Sequence, residues 1–157
     1  MNEEQKTNVG GTKKFKDFMS AVGRRRSAVA RVRVYSKVPD SLKFGEYLVK
    51  KGNIVVNGKN ISEYFGGNVA KAVYEQPLKI VGGIDKYTIT IRAQGGGLQA
   101  QLDAAVLGIS RALAAMDGTS KPLLRKKGLL TRDQRVRERR KVGMGGKSRR
   151  RKQSPKR

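Results

Sequence analysis

Between residues 27 and 35 apolar and polar side chains alternate, with Ala30, Val32 and Val34 on one side and Arg31, Arg33 and Tyr35 on the other. A period of two predicts a half-buried strand, here with a basic outer face. Residues 39–52 lose the alternation and read as a loop. Asn53-Ile54-Val55-Val56 running into Asn57-Gly58 predicts a short strand and a tight turn. Ser62 is placed to cap a short helix through Phe65, and Gly66-Gly67 interrupts it. Asn68 is then placed to cap a second helix with Val69, Ala72 and Val73 on one face. Pro77 is expected to end that helix, leaving 78–81 and 87–93 as strands joined across Gly82-Gly83. In the second of these Ile89 and Ile91 alternate with Thr88, Thr90 and Arg92.

The strongest helical signal follows Gly95-Gly96-Gly97. Leu98, Leu102, Ala105, Val106, Ile109, Leu113 and Met116 recur at three- and four-residue spacing and make one apolar stripe, which Gly118 is placed to end. Leu123, Leu124, Leu129 and Leu130 predict one more short helical piece packed on the core. Strands and helices mix without a regular repeat, so the expected class is α+β, a single small domain with a mixed sheet.

Charge divides the chain further. Residues 1–22 are polar and are expected to form a flexible lead-in; 23–120 hold nearly all the apolar periodicity and are expected to be the globular domain. Residues 121–157 form a basic C-terminal tail, with 17 Lys or Arg against Asp133 and Glu138 and no aromatic residue. Such a segment lacks the apolar surface to fold alone. Over the whole sequence 36 Lys and Arg face 12 Asp and Glu, a formal charge of +24. That excess repels itself unless a polyanion covers it. Anionic membrane is a poor candidate, because no apolar run approaches the roughly 20 residues of a spanning helix and the basic segments lack a bulky apolar face. Nucleic acid is the expected partner.

The chain has no Cys and no His, which rules out disulfides, zinc knuckles and thiol or imidazole catalysis. Asp85 and Asp103 have no acid–base companion, and Asp103, near Gln99 and Gln101, suits the start of a helix. No enzyme, metal site or cofactor is expected. Met1-Asn2-Glu3-Glu4 is acidic and unlike a signal or transit peptide, so a cytoplasmic protein is the default reading.

Three groups of residues are candidates for nucleic-acid contact. Arg24, Arg25 and Arg26, with Arg31 and Arg33 on the strand that follows, form a strip of guanidinium groups suited to bidentate phosphate contact. The competing reading is a solvated basic strand, disfavoured because no acidic strip in the sequence is placed to neutralise these charges. Gly95, Gly96 and Gly97 at a helix start offer bare amides to an anion; a turn needing positive φ, or close packing of helix on sheet, explains them equally well. They lack the Lys and Ser of a nucleotide-hydrolysing loop. The third group is the tail: Arg125, Lys126, Lys127, Arg132, Arg135, Arg137, Arg139, Arg140 and Lys141, then Lys147, Arg149, Arg150, Arg151 and Lys152. Gly143, Gly145 and Gly146 loosen the chain between clusters. Without aromatics the tail is suited to phosphates and shape rather than bases.

Taken in order, several segments resemble the family of the ninth protein of the ribosomal small subunit. They are Gly23-Arg24-Arg25-Arg26-Ser27-Ala28-Val29-Ala30-Arg31-Val32, Ile54-Val55-Val56-Asn57-Gly58, and Gly95-Gly96-Gly97 with Gly108-Ile109-Ser110-Arg111-Ala112-Leu113. Leu130-Thr131-Arg132-Asp133 and Glu138-Arg139-Arg140-Lys141 follow. The resemblance covers residues 23–157. It implies an α+β domain with a left-handed βαβ crossover, docked on the head of the small subunit against small-subunit ribosomal RNA and neighbouring head proteins. It also implies a tail reaching the peptidyl-site transfer RNA, with Lys156 and Arg157 at the contact. The chain departs from the family's usual pattern at Ala100-Gln101-Leu102-Asp103-Ala104, where Gly-Gln-Ala-Gly-Ala is common. It departs again at Gln153-Ser154-Pro155-Lys156-Arg157, where Gln-Phe-Ser-Lys-Arg is common. The loop over 36–52 looks longer than usual. Two rivals are weaker: an architectural DNA-binding protein, suggested by Ser154-Pro155-Lys156-Arg157, and a small-molecule kinase of the same broad superfold, suggested by the glycine triplet alone.

Overall fold

The alternation around Val32 becomes the second strand of a five-stranded sheet in a computed structural model, which describes residues 18–37, 43–44 and 47–137. Strand β1 (Phe18–Arg25) pairs antiparallel with β2 (Ala28–Tyr35), and a two-residue hairpin follows, β3 (Lys43–Phe44) with β4 (Tyr47–Leu48). Then come β5 (Ile54–Val56), β6 (Lys59–Asn60), α1 (Ile61–Tyr64), α2 (Asn68–Val81), β7 (Thr88–Gln94), α3 (Leu98–Met116) and α4 (Ser120–Lys126). The sheet order is β1-β2-β7-β5-β6. All neighbours are antiparallel except β5 and β7, whose parallel pairing is joined through α1 and α2, as a parallel pair requires a crossover.

One face of the sheet carries α3. Ala30, Val32 and Val34 of β2 and Ile89 and Ile91 of β7 meet Leu102, Ala105, Ile109 and Leu113 in a single core, which Tyr74 and Leu78 of α2 and Leu124 of α4 complete. Ile89, Ile91, Ile109, Leu113 and Leu124 are fully buried, each worth about 1.5–3 kcal/mol by transfer from water. The expected class, a small α+β domain with a mixed sheet, is the one observed.

Several elements differ from the sequence pattern. A strand begins at Phe18, within the stretch that reads as polar lead-in, and it carries Arg24 and Arg25; Arg26 sits in the following turn at φ 51°. The loop over 39–52 contains the β3–β4 hairpin. Helix α1 is capped by Asn60, whose Oδ1 accepts from the Ser62 amide at 3.2 Å, and not by Ser62. Helix α2 starts after Gly67 without a side-chain cap, so Asn68 is its first residue and not its cap. Its buried face is Tyr74, Pro77 and Leu78, while Val69 is 80% exposed.

The largest difference is at Pro77, which lies inside α2; residues 78–81 are helix and not strand. Proline there cannot donate to the Val73 carbonyl, a real cost. Its ring and the adjacent Leu78 are buried in the core, and tertiary packing outweighs local propensity. The helix ends at Gly82, in the left-handed region at φ 64°, where the Gly82 and Gly83 amides donate to the Lys79 and Leu78 carbonyls. Helix α3 keeps the predicted stripe except at Leu98, which is exposed, and it stops at Met116 with Asp117 as its cap. Tyr87 donates to Asp117 Oδ2 at 3.0 Å, tying the start of β7 to the end of α3.

Candidate nucleic-acid interface

Because Gly23, Ala30, Val32 and Ile91 turn toward α3, the intervening residues turn away from it, and strand register sets them side by side. Val22, Arg31 and Arg92 are aligned across β1, β2 and β7; Ser20, Arg33 and Thr90 form the next row; Arg24, Val29 and Gln94 form the row on the other side. Arg24, Arg31, Arg33 and Arg92 are exposed. Among the described residues none of them forms an ion pair. The Arg33 guanidinium lies 5.1 Å from the centroid of the Phe18 ring. Arg92 is the residue the sequence reading passed over, although its alternation with Ile91 and Ala93 carried the same signal that singled out Arg31.

Arg25 points to the other side and has a different environment. Its side chain is 13% exposed; Nη2 lies 2.9 Å from Asp133 Oδ2 and Nε lies 3.6 Å from Asp103 Oδ2. Its Nη1 donates to the Arg135 carbonyl at 2.9 Å. Arg135 in turn grips Asp133 with its guanidinium, Nη2 to Oδ2 at 2.6 Å, and with its backbone amide at 2.9 Å. The expectation that no acid neutralises the arginine triplet is therefore wrong for Arg25. Asp103 is a partner of Arg25 rather than a charge at the first turn of α3, where there is no acidic residue. The cluster borders a cleft of about 370 Å³ lined also by Val73, Gln76, Val106 and Leu129.

Hydrogen bonds from the Arg135 side chain and backbone hold the Asp133 carboxyl well below the usual carboxylate range, with the Arg25 charge a smaller contributor. Its folded value lies below its unfolded one. The contribution is therefore complete above the ordinary carboxylate value and is lost only as pH falls toward the folded value. The anchor holds at any physiological pH. Asp133→Asn should accordingly free residues 131–137, and trypsin should cleave after Arg132 and Arg135 several-fold faster than in the unmodified chain. An unchanged cleavage rate would show that Leu129 and Leu130, packed on the core, hold this segment by themselves.

The glycine triplet is shaped by its neighbours. Gly95 and Gly96 have φ 71° and 63°, and a Cβ on Gly95 would lie 2.5 Å from the Ser27 carbonyl oxygen. Turn conformation and close approach to β2 thus account for the first two. Gly97 has open space around it, and the start of α3 carries no side-chain cap. Arg125 and Lys126 lie in the last turn of α4 with Lys127 after it, all exposed. Arg132 is half-buried. Arg139, Arg140, Lys141, Lys147, Arg149, Arg150, Arg151, Lys152, Lys156 and Arg157 lie outside the described residues. Among the described residues there is no cluster suited to a metal ion and no helix long and apolar enough to cross a membrane.

Residues 23–157 match the family described as ribosomal protein S9/S16. Three similar proteins are each called small ribosomal subunit protein uS9. The one from Anaeromyxobacter sp. (strain K) is 43% identical over 125 residues, covering 80% of this chain and 86% of its own. That from Maridesulfovibrio salexigens is 40% identical over 131 residues, 83% of this chain and 91% of its own. That from Cytophaga hutchinsonii is 40% identical over 127 residues, 81% and 89% respectively.

Proposed function

Because the chain belongs to the ribosomal protein S9/S16 family, a structural and non-enzymatic part of the small ribosomal subunit, we propose that it is held in the subunit head by phosphate contacts to small-subunit ribosomal RNA. In this reading the globular domain, with a left-handed crossover between β5 and β7, packs against RNA and neighbouring head proteins in the cytoplasm. The strip of Arg24, Arg25, Arg26, Arg31 and Arg33, of which Arg25 is already engaged by Asp133 and Asp103, the loop at Gly95, Gly96 and Gly97, and the basic residues from Arg125 to Lys152 contact ribosomal RNA. Lys156 and Arg157 approach the peptidyl-site transfer RNA. The observation that carries the reading is a family match that runs on through residues 121–157, where 17 basic residues stand against two acids.

Each terminal contact is a solvated ion pair with a phosphate, worth on the order of 1 kcal/mol. Deleting Lys156 and Arg157 should leave assembly intact, since 15 basic residues of the tail remain, and should weaken transfer-RNA binding in the peptidyl site several-fold. Truncation before Arg149 should cost more, because Arg149, Arg150, Arg151 and Lys152 leave together. Filter binding of initiator transfer RNA to small subunits rebuilt with each variant measures this. Equal affinity in all three would make the tail an assembly anchor only.

A further inference from the structure

We propose that Arg92 joins Arg31 and Arg33 in a docking surface for the phosphate backbone of an RNA strand, on the exposed part of the sheet face opposite α3; Tyr35, Thr88, Thr90 and Val55, farther along that face, are buried. The proposal rests on the RNA-binding reading above and assigns it to one surface. Its starting point is the register: Arg31 and Arg92 are directly opposed on adjacent antiparallel strands. Like charges in that position destabilise a sheet, and Arg33 stands two residues along the same strand. None of β1, β2 and β7 contains an Asp or a Glu, so the charges these strands contribute are of one sign.

Two ordinary explanations for surface cations fail here. Charged residues often guard the edge of a sheet against pairing with another chain. β2 and β7, however, are interior strands, and the edge position belongs to β1 and β6. Solubility is served best by interspersed charges of both signs, and among the described residues these three strands supply none of the second sign. What remains is a surface whose internal repulsion is relieved by a polyanion.

The chemistry favours phosphates over bases. Adjacent strands are about 4.8 Å apart, and residues two apart on one strand are separated by about 7 Å. Three guanidinium groups so placed can fork onto neighbouring phosphates of a single strand. The aromatic pair on this face, Phe18 and Tyr35, is already engaged ring to ring at 5.6 Å, with Tyr35 5% exposed. It offers no open platform for base stacking. Arg33, resting over Phe18, is held near the surface and loses less freedom on binding than a tail residue does. The contact is therefore one that positions the protein on RNA rather than one that reads sequence.

The test uses the full chain, stripped of nucleic acid, and a transcript of small-subunit ribosomal RNA titrated over a range of salt. Arg92→Gln should weaken binding about three- to tenfold and reduce the log–log salt slope by about 0.7–0.9. The Arg31→Gln/Arg33→Gln/Arg92→Gln variant should reduce it by about 2–3. Thermal unfolding of Arg92→Gln without RNA should occur at the same temperature or higher, because the opposed pair is relieved; a purely structural role for Arg92 would lower it. Arg92→Lys should keep the slope while losing part of the affinity. A triple variant that binds with the unmodified slope overturns the proposal. So does one that binds RNA normally yet fails to enter the subunit, which would assign the face to a protein. If the unmodified chain itself does not bind the transcript, the RNA-binding reading falls instead.

Discussion

Gly23→Ala should strip the domain of much of its stability, lowering the urea midpoint by the equivalent of about 3 kcal/mol or more. A Cβ at this position would lie 1.8 Å from the Ala104 carbonyl oxygen and 2.6 Å from the Gly108 amide nitrogen. Both are backbone atoms of α3, so no side chain can swing aside. The fit is reciprocal: a Cβ on Gly108 would lie 2.5 Å from Val32 Cγ2. Relief requires α3 to back away from β1 and β2 together, opening the core along its length. Overpacking costs about 1–3 kcal/mol and occasionally more, and rigid backbone on the far side places this case at the upper end. Domains of this size are stable by about 5–15 kcal/mol in all, so a large share of the folded population is at stake. Gly118→Ala is the control, with nothing within 4 Å of the new methyl, and should shift stability by no more than about 0.5 kcal/mol. Equal midpoints for the two variants would mean that α3 rides further from the sheet in solution.

Raising salt from 50 to 200 mM should weaken binding to small-subunit ribosomal RNA by about 10³- to 10⁵-fold, the loss expected when roughly 6–10 phosphate contacts release their counterions. The charge of +24 and the bare arginine face both require a mainly electrostatic affinity, and nitrocellulose retention across a salt series measures it. A nearly flat dependence would mean that apolar or base-specific contacts dominate, which would overturn the phosphate reading of sheet and tail alike.

What could be read from the sequence was whatever repeats locally. The alternation through Val32, the Asn57-Gly58 turn and the stripe from Leu102 to Leu113 each signal at a period that one element sets, and each is where the pattern places it. β1 was missed because its α3-facing positions include Ala21 and Gly23. A close helix requires small residues there, and small residues leave no hydrophobic alternation. Pro77 misled because its local cost is visible in sequence, whereas the burial that offsets it depends on α3, more than 20 positions later. The same distance hid the partners of Arg25, since Asp103 and Asp133 meet it only in three dimensions. Arg92 had the right alternation, but only the β2–β7 register turned it into a neighbour of Arg31.

That register also sets a timetable for synthesis. β1 and β2 leave the exit tunnel first, and the α3 that covers them is complete only roughly 80 residues later, an interval of about 4–16 s at ordinary elongation rates. Until then the hairpin shows Ala30, Val32 and Val34 bare, and two strands alone are marginal in water. The paired arginines do not exist as a pair until β7 arrives between β2 and β5, and a slip of one residue would turn Arg92 inward and Ile91 outward. A polyanion that grips Arg31 and Arg92 together would therefore favour chains in which β7 has already paired in register with β2.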